Sequence, residues 1–348
     1  MSPVKSPLRL AALLAGGLAL SACASTSEAS SPAAGTSSAS SPAAVPASLT
    51  LYTSEPQEKI DAAVAAFTEQ HPEITVEVFR AGTGDLNARI ESERTGGDIQ
   101  ADLLMAADAG TFERYKEDDL LLELDPVEDA AVNPDVVDPE GYYVGTRIIP
   151  TVIAYNTTMV DSPPASWQDL TDSQYAGKIT MPNPDVSGAA AYNAAVWTLT
   201  DGLGDDWMAA LAENEPVIAD SNGPVAQAVA AGTQPVGVVV DYLVRELADA
   251  GSPIAVSYPS EGVPYVSQPI GVFADTEYPD AAQAFVDFVL SEEGQTLAVE
   301  QSYLPVRDDV GTPEGAPAMS EITILSPDLD EVAATQPEAV ARFNELFR

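Results

Sequence analysis

An alternation of strand and helix patterns constrains the fold more than any other feature of this chain. Residues 49–53 and 74–79 have the alternating composition of strands, and residues 57–69 between them carry apolar side chains at helical spacing. A second helix pattern and a short third strand follow at residues 85–95 and 102–105. This β-α-β-α-β order predicts an α/β fold with a mostly parallel sheet and helices on both of its faces.

Polar residues fall close to the points where these three strands end. They are Ser54, Thr83 and Asp108. Ligands of parallel α/β sheets gather at the carboxyl ends of the strands. The three residues are therefore predicted to contact a ligand.

A second set of strand and helix patterns follows an apolar stretch at residues 147–156, which has the pattern of an extended segment that crosses between lobes. The chain crosses back near residue 264. The predicted first lobe comprises residues 49–152 and 264–348, with its last segment forming a helical cap, and the second lobe comprises residues 153–263. Two crossings between two α/β lobes predict a hinged cleft that closes around a ligand.

The first 48 residues have the pattern of an export signal followed by a spacer. A short basic segment precedes an apolar run over residues 10–20, which is too short to span a bilayer, and Leu-Ser-Ala-Cys ends at Cys23. This pattern resembles bacterial lipoprotein signals. The resemblance implies cleavage after residue 22, lipidation of Cys23 and an extracytoplasmic protein held at the membrane by a Ser/Ala/Pro-rich spacer, residues 23–48. An ordinary secretory signal with an incidental cysteine is the alternative.

Composition excludes several classes of partner and chemistry. The chain has 54 acidic and 14 basic residues, for a net charge of −40, which disfavours nucleic acid and anionic membrane surfaces as partners. The acidic residues are spread along the chain, a pattern that favours a solvated acidic surface and is compatible with a saline habitat. Cys23 is the single cysteine, so its lipidation would leave no thiol for a disulfide or a thiolate metal site.

Enzymatic function is disfavoured on the same grounds. The single histidine, His71, falls at a predicted helix end, and the sequence contains no Gly-x-Ser-x-Gly, His-Glu-x-x-His or P-loop motif. A hydrolase using paired carboxylates and a purely structural surface protein are the alternatives from other classes. A ligand-binding cleft would argue against the structural protein.

Three segments resemble the extracellular solute-binding proteins of ABC importers. They are Tyr-Thr-Ser-Glu at residues 52–55, Ile-Ala-Tyr-Asn at residues 153–156, and a helix over residues 281–290 followed by Ser-x-x-Gly-Gln. The resemblance covers about residues 49–310 and is closer to the branch that binds ferric iron, organic phosphates and phosphonates. It implies a two-lobed periplasmic-binding-protein fold (type II-like) and a monomer that delivers a captured solute to a permease and its ATPase. A sensory receptor would have the same sequence features.

The resemblance also implies an anion site in the second lobe. Ser187, Gly188 and Ala189 match a Ser-Gly-Ala turn, and Asn222 matches an asparagine, both of which hold an anion in that branch. Ser187 is placed to cap the helix that follows, and backbone N–H groups at a helix start can bind an oxyanion without a cationic side chain. Thr83 is predicted to face this site from the first lobe.

An organic phosphate or phosphonate is therefore the predicted ligand, with no cofactor. Glu55, Asp108 and Asp241 could accept hydrogen bonds from an amine or hydroxyl groups at the other end of such a ligand.

Ferric iron is the alternative ligand. Iron binders of this branch carry a ligand near the position of Glu55 and an adjacent pair of tyrosines, and phenolate oxygens suit a hard cation. The pair aligns with Tyr242 and Leu243, so one tyrosine is missing, and Tyr155 is the candidate replacement.

Overall fold

In the computed structural model, the described residues are 46–127, 129–317, 321–325 and 327–347. The predicted signal peptide, Cys23 and most of the spacer lie outside them. The described residues belong to one compact unit. The first strand begins at Ala47, so the last residues assigned to the spacer are part of the folded sheet.

Strands and helices alternate along most of the described chain. The strands are β1 (Ala47–Thr53), β2 (Ile74–Arg80), β3 (Leu103–Met105), β4 (Tyr143–Gly145), β5 (Ile149–Asn156), β6 (Ile179–Pro182), β7 (Val217–Ala219), β8 (Val236–Val240), β9 (Ile254–Ser257), β10 (Tyr265–Val266) and β11 (Pro269–Val272). The helices are α1 (Gln57–Gln70), α2 (Thr83–Gly96), α3 (Ala109–Glu117), α4 (Gly188–Leu199), α5 (Gly204–Ala212), α6 (Asn222–Ala230), α7 (Asp241–Asp249), α8 (Pro279–Leu290), α9 (Glu292–Glu300) and α10 (Leu329–Phe347).

The strands form two sheets. The first has the order β2-β1-β3-β11-β4, and the second has the order β10-β5-β8-β6-β7, with β9 also paired to β5. The predicted α/β class is confirmed. The sheets are more mixed than predicted, because β5 and β11, the strands that follow the two crossings, run antiparallel to their neighbours.

Two adjacent segments connect the sheets. Residues 146–148 lead from β4 to β5, and residues 267–268 lead from β10 to β11. The backbone N–H groups of Thr146 and Arg147 both donate to the Ser267 carbonyl oxygen, at 2.9 and 3.2 Å. The two crossings therefore lie side by side, as a hinge requires.

The lobe boundaries stay a prediction, although one of them falls inside a strand. β5 begins at Ile149 and lies wholly in the second sheet, so residues 149–152 do not belong with the first sheet. Residues 148–154 are apolar apart from Thr151, so the hydrophobic pattern does not mark where the crossing ends and β5 begins.

The predicted helical cap on the first lobe is wrong for the C-terminal segment. Helix α10 begins at Leu329 and packs against α4 and α5 beside the second sheet as well as α3 beside the first. Its buried residues are Val332, Gln336, Ala339 and Phe343, which repeat at helical spacing. The helix therefore packs beside both sheets and not on the first lobe alone.

Aromatic clusters anchor the core of each sheet. Phe67 of α1 contacts Phe285 and Phe288 of α8 in the first, with ring centroids 5.0 and 5.6 Å apart. Trp167, Trp197 and Trp207 form the second cluster. Aromatic pairs at these separations stabilise a core beyond the area they bury.

Every helix within the described part of the chain is too short or too polar to cross a membrane.

Candidate functional site

A cavity of about 540 Å³ lies between the two sheets, where helices from both of them begin. The starts of five helices contribute to its lining. The lining residues at those starts include Pro56 before α1, Thr83 of α2, Gly188 of α4, Asn222 of α6 and Tyr242 of α7. Because the unpaired N–H groups and the positive end of the helix dipole lie at a helix N-terminus, five converging N-termini favour an anion.

Arg80 places a cationic side chain at the same cavity, a role that was not predicted from the sequence. It is the last residue of β2, it is exposed, and its Nε donates to the Glu55 carbonyl oxygen at 3.2 Å. Its position at the carboxyl end of a parallel strand is the signal that could have identified it.

Ser187 and Asn222 come together on the second-sheet side of the cavity, as the anion-site prediction requires. The Ser187 hydroxyl oxygen accepts a hydrogen bond from the Ala190 N–H at 3.3 Å and another from Asn222 Nδ2 at 2.9 Å. The Val240 N–H donates to Asn222 Oδ1 at 3.3 Å. The predicted cap is therefore confirmed, and because both bonds use the Ser187 oxygen as acceptor, its hydrogen can be donated to an oxyanion.

The two sides of the cavity meet at Thr83 and Gly188. A Cβ atom added at Gly188 would lie 2.7 Å from the Thr83 hydroxyl oxygen. Next to this contact, the Gly84 N–H donates to the Val186 carbonyl oxygen at 3.5 Å, and a Cβ at Gly84 would lie only 2.0 Å from the Asp185 carbonyl oxygen. The glycines therefore allow the backbone of α2 to touch the loop that precedes α4, and the cleft is closed at this edge.

Glu55 lines the cavity, but its carboxylate is already engaged by protein groups. It is 1% exposed and accepts hydrogen bonds from Arg147 Nη1 at 3.0 Å, Gln268 Nε2 at 2.6 Å and Tyr303 Oη at 2.7 Å. Arg147 and Gln268 lie in the two crossing segments. The structure therefore shows Glu55 joining α1 to the hinge, which was not predicted; a contact with a ligand amine stays a prediction.

A pair of phenol rings lies beside this network. Tyr242 and Tyr303 both line the cavity, with ring centroids 4.5 Å apart. The Lys59 ammonium lies 4.4 and 4.0 Å from the two ring centroids and forms an ion pair with Glu246 at 2.6 Å. Burial raises the pKa of both phenols, and the nearby Glu55 carboxylate raises both pKa values further. Both hydroxyl groups are therefore protonated at neutral pH and act as hydrogen-bond donors. Tyr303 was not predicted to line the cavity, because Tyr242, the residue beside which it lies, is distant from it in sequence.

Three predicted ligand groups do not lie at this cavity. Asp241 is fully buried, where its carboxylate accepts from Arg245 Nη1 at 2.5 Å and Tyr258 Oη at 3.4 Å, and burial raises its pKa. As the first residue of α7 it faces Arg245, one turn along the same helix. Asp108 lines a separate cavity, and Tyr155 lies in β5 between β8 and β9.

Other predicted residues do line the cavity: Ser54, Thr83, Gly188 and Ala189. Asp85, which is exposed and lies in the first turn of α2, lines it too and was not predicted. Among the residues that the structure describes, no group of three or more His, Cys, Asp or Glu side chains is placed to hold a metal ion.

Comparison with known protein families gives a match over most of the chain. Residues 62–322 match the model of a family described as bacterial extracellular solute-binding proteins. A periplasmic protein of Salmonella typhimurium, provisionally named for binding 2-aminoethylphosphonate, is 25% identical over 298 residues, covering 78% of this chain and 83% of the relative. An uncharacterised protein of Haemophilus influenzae is also 25% identical, over 83% of this chain and 81% of its own length.

Solved structures share the two-lobed architecture. Iron-bound HitA from Pseudomonas aeruginosa has a TM-score of 0.78 and 24% identity, covering 86% of this chain and 99% of its own. The periplasmic binding protein AfuA from Actinobacillus pleuropneumoniae, with fructose-6-phosphate bound, has a TM-score of 0.79 and 22% identity, covering 86% and 98%. At these identities the likeness shows the fold alone, and it confirms the predicted periplasmic-binding-protein fold.

Proposed function

The chain belongs to the family of bacterial extracellular solute-binding proteins, and from that premise we propose that it captures a small organic phosphate or phosphonate for an ABC importer. Proteins of this family bind solutes and are not enzymes. Under this proposal the ligand lies in the cavity between the sheets, the two sides close around it, and the loaded protein delivers it to a permease with its ATPase.

The observation that carries the proposal is the concentration of anion-binding groups around one cavity. Five helix N-termini, the Ser187 hydroxyl and the Arg80 guanidinium surround it, in a protein whose net charge is −40. A protein with that net charge repels anions at long range. Backbone N–H groups at the helix N-termini provide local positive charge that can bind a specific oxyanion despite this repulsion.

The size and remaining lining of the cavity favour an organic ligand over inorganic phosphate. A volume of about 540 Å³ is within the range of small-molecule sites. Asp85 can accept hydrogen bonds from an amine, and the Tyr242 phenol can donate to a second oxygen of the ligand. The provisional name of the Salmonella relative supports an aminoalkylphosphonate.

Thermal unfolding of residues 46–348 against a panel of compounds tests this proposal. The panel comprises 2-aminoethylphosphonate, glucose-6-phosphate, inorganic phosphate and ferric citrate, at constant ionic strength. A ligand that binds only the folded protein raises the unfolding midpoint by mass action. A saturable rise with the phosphonate or the sugar phosphate supports the proposal. If none of the phosphorus compounds raises the unfolding midpoint, the proposal is refuted.

Loss of either anion-site side chain is expected to weaken an oxyanion ligand. Ser187→Ala and Asn222→Ala should each raise the dissociation constant by an amount equivalent to about 1–3 kcal/mol, because a buried oxygen of the ligand loses its donor. Isothermal titration calorimetry provides the measurement. Thr198→Ala, which removes a hydroxyl from the other end of α4, should leave the affinity unchanged. Unaltered affinity in both cavity variants would rule out this anion site.

Ferric iron is a second candidate because of the phenol pair. Tyr242 and Tyr303 supply two oxygen donors to the cavity beside Glu55, so a tyrosine pair exists although its members are not adjacent in sequence. The raised pKa values of both phenols oppose their conversion to phenolates. A visible charge-transfer band with ferric citrate that is lost in Tyr242→Phe would favour iron over the phosphorus compounds.

We further propose that the protein is anchored to the cell membrane through lipid on Cys23. The sequence around that residue supports the proposal, and the residues concerned lie outside those that the structure describes. In cells producing the full-length chain, the protein is expected in the detergent phase after Triton X-114 partition. Cys23→Ser should move it to the aqueous phase, and an unchanged distribution would argue against lipidation.

A further inference from the structure

An ion pair joins the two sides of the main cavity. Lys59 lies in α1, which connects β1 to β2 of the first sheet, and Glu246 lies in α7, which packs on β5, β8 and β9 of the second. Lys59 Nζ lies 2.6 Å from Glu246 Oε1, and the two side chains are 12% and 35% exposed. Because solvent and salt screen such a pair less than they screen a fully exposed one, it stabilises the contact between α1 and α7.

Hydrogen bonds fix the Lys59 ammonium on the side of the first sheet. Lys59 Nζ donates to the Gln301 carbonyl oxygen, and Gln301 Nε2 donates to the Lys59 carbonyl oxygen at 3.0 Å. Gln301 follows α9, which packs against α1 and α8 beside the first sheet. From the other side, Arg245 Nη2 of α7 donates to the Ser302 carbonyl oxygen at 2.8 Å. The end of α9 is therefore bonded by both α1 and α7.

The same ammonium contacts a ring that lines the cavity. Lys59 Nζ lies 4.4 Å from the centroid of the Tyr242 ring, and a cation at this distance from an aromatic ring is attracted to it. Tyr242 and Glu246 are four residues apart on α7, so they lie on the same face of that helix. Movement of α7 away from α1 would therefore break the ion pair and the contact with Tyr242 together.

We propose that Lys59 is a positioning residue of the binding site: its ion pair with Glu246 and its contact with Tyr242 favour the closed conformation that holds the ligand. The inference rests on the proposed solute-binding function. Tyr242 lines the cavity, whereas neither Lys59 nor Glu246 does, so both charges act on affinity without contacting the ligand.

The effect of Glu246 separates this role from simple attraction between Lys59 and an anionic ligand. Calorimetry with 2-aminoethylphosphonate and with glucose-6-phosphate compares Lys59→Met, Glu246→Gln and the double variant. Each single variant should raise the dissociation constant about fivefold or more, because the closed conformation loses the pair. The double variant should bind no more weakly than the weaker single variant. If Glu246→Gln strengthens binding, Lys59 acts only through its charge and the proposal is overturned.

A distance measurement tests the closure without any ligand. Ser92 of α2 and Asp206 of α5 are exposed and lie on opposite sides of the cleft. Spin labels on cysteines at these two positions, in the Cys23→Ser chain, give the distance by pulsed electron paramagnetic resonance. Lys59→Met and Glu246→Gln should each shift the distribution to longer distances. Unchanged distances in both variants would overturn the proposal, whether or not a phosphorus compound binds.

A matched control lies within the first side alone. Arg89 of α2 pairs with Glu93 of the same helix at 2.7 Å, and its guanidinium carbon lies 4.8 and 4.0 Å from the ring centroids of Tyr52 and Phe79. Arg89→Met removes the same kinds of contact without affecting the cleft, so affinity and label distance should stay unchanged. Equal weakening by Arg89→Met and Lys59→Met would assign the effect to a general loss of contacts and contradict the positioning role.

Discussion

Replacement of Gly84 by alanine is expected to weaken ligand binding strongly while leaving the fold intact. The added Cβ would lie 2.0 Å from the Asp185 carbonyl oxygen, a separation that requires backbone movement on one side of the cleft. Overpacking of this kind costs about 1–3 kcal/mol. Because the contact joins opposite sides of the cleft, this free-energy cost destabilises the closed conformation and not the open one. The dissociation constant of the ligand should therefore be roughly 5- to 150-fold higher.

A matched control exists on the same helix. Gly96 is the last residue of α2, and a Cβ added there would have no atom within 4 Å. Gly96→Ala should leave the affinity unchanged and raise stability slightly, since alanine favours helix over glycine. Calorimetry gives the affinities, and small-angle scattering of Gly84→Ala with ligand should show a more open molecule than the original. Equal affinity of Gly84→Ala and Gly96→Ala would contradict the assignment of this contact to closure.

The parts of the site that local sequence patterns determine were predictable. The Ser187 cap depends on a residue type at a helix start, and it forms as expected. The strands and helices of the first sheet follow hydrophobic periodicity, so β1, β2 and α1 lie within a few residues of their predicted bounds.

Side-chain direction was not predictable, because it depends on contacts between distant parts of the chain. Asp241 and Tyr242 are neighbours in sequence, yet Asp241 pairs with Arg245 away from the cavity while Tyr242 lines it beside Tyr303. Asp108 lies away from the main cavity, where its Oδ2 accepts a hydrogen bond from Gln336 of α10. The sequence had assigned that helix to a cap on the first lobe. A chain with many acidic residues offers many candidate ligands, and tertiary packing selects among them.

The buried carboxylate of Glu55 leads to the largest expected effect on stability. Glu55→Ala should lower the free energy of unfolding by about 3–5 kcal/mol. The substitution leaves the Arg147 guanidinium, which is 5% exposed, without its charge partner. It also removes the acceptor of the hydrogen bonds from Gln268 and Tyr303. Urea unfolding without ligand measures the change. Asp118→Ala provides the comparison, since Asp118 pairs with Arg94 at 2.5 Å but with side chains 47% and 37% exposed, and its loss should cost no more than about 1 kcal/mol.

A second substitution separates the cost of an unpaired charge from that of a lost contact. If the unpaired guanidinium is the main cost, Arg147→Met added to Glu55→Ala should restore part of the lost stability, because an apolar side chain of similar length needs no counter-charge. A double variant less stable than Glu55→Ala would mean that Arg147 stabilises the crossing segments through its contacts with Thr146 and the Tyr303 ring. Such a result would mean that Arg147 is the residue that stabilises the hinge segments, and that Glu55 acts by orienting the Arg147 side chain.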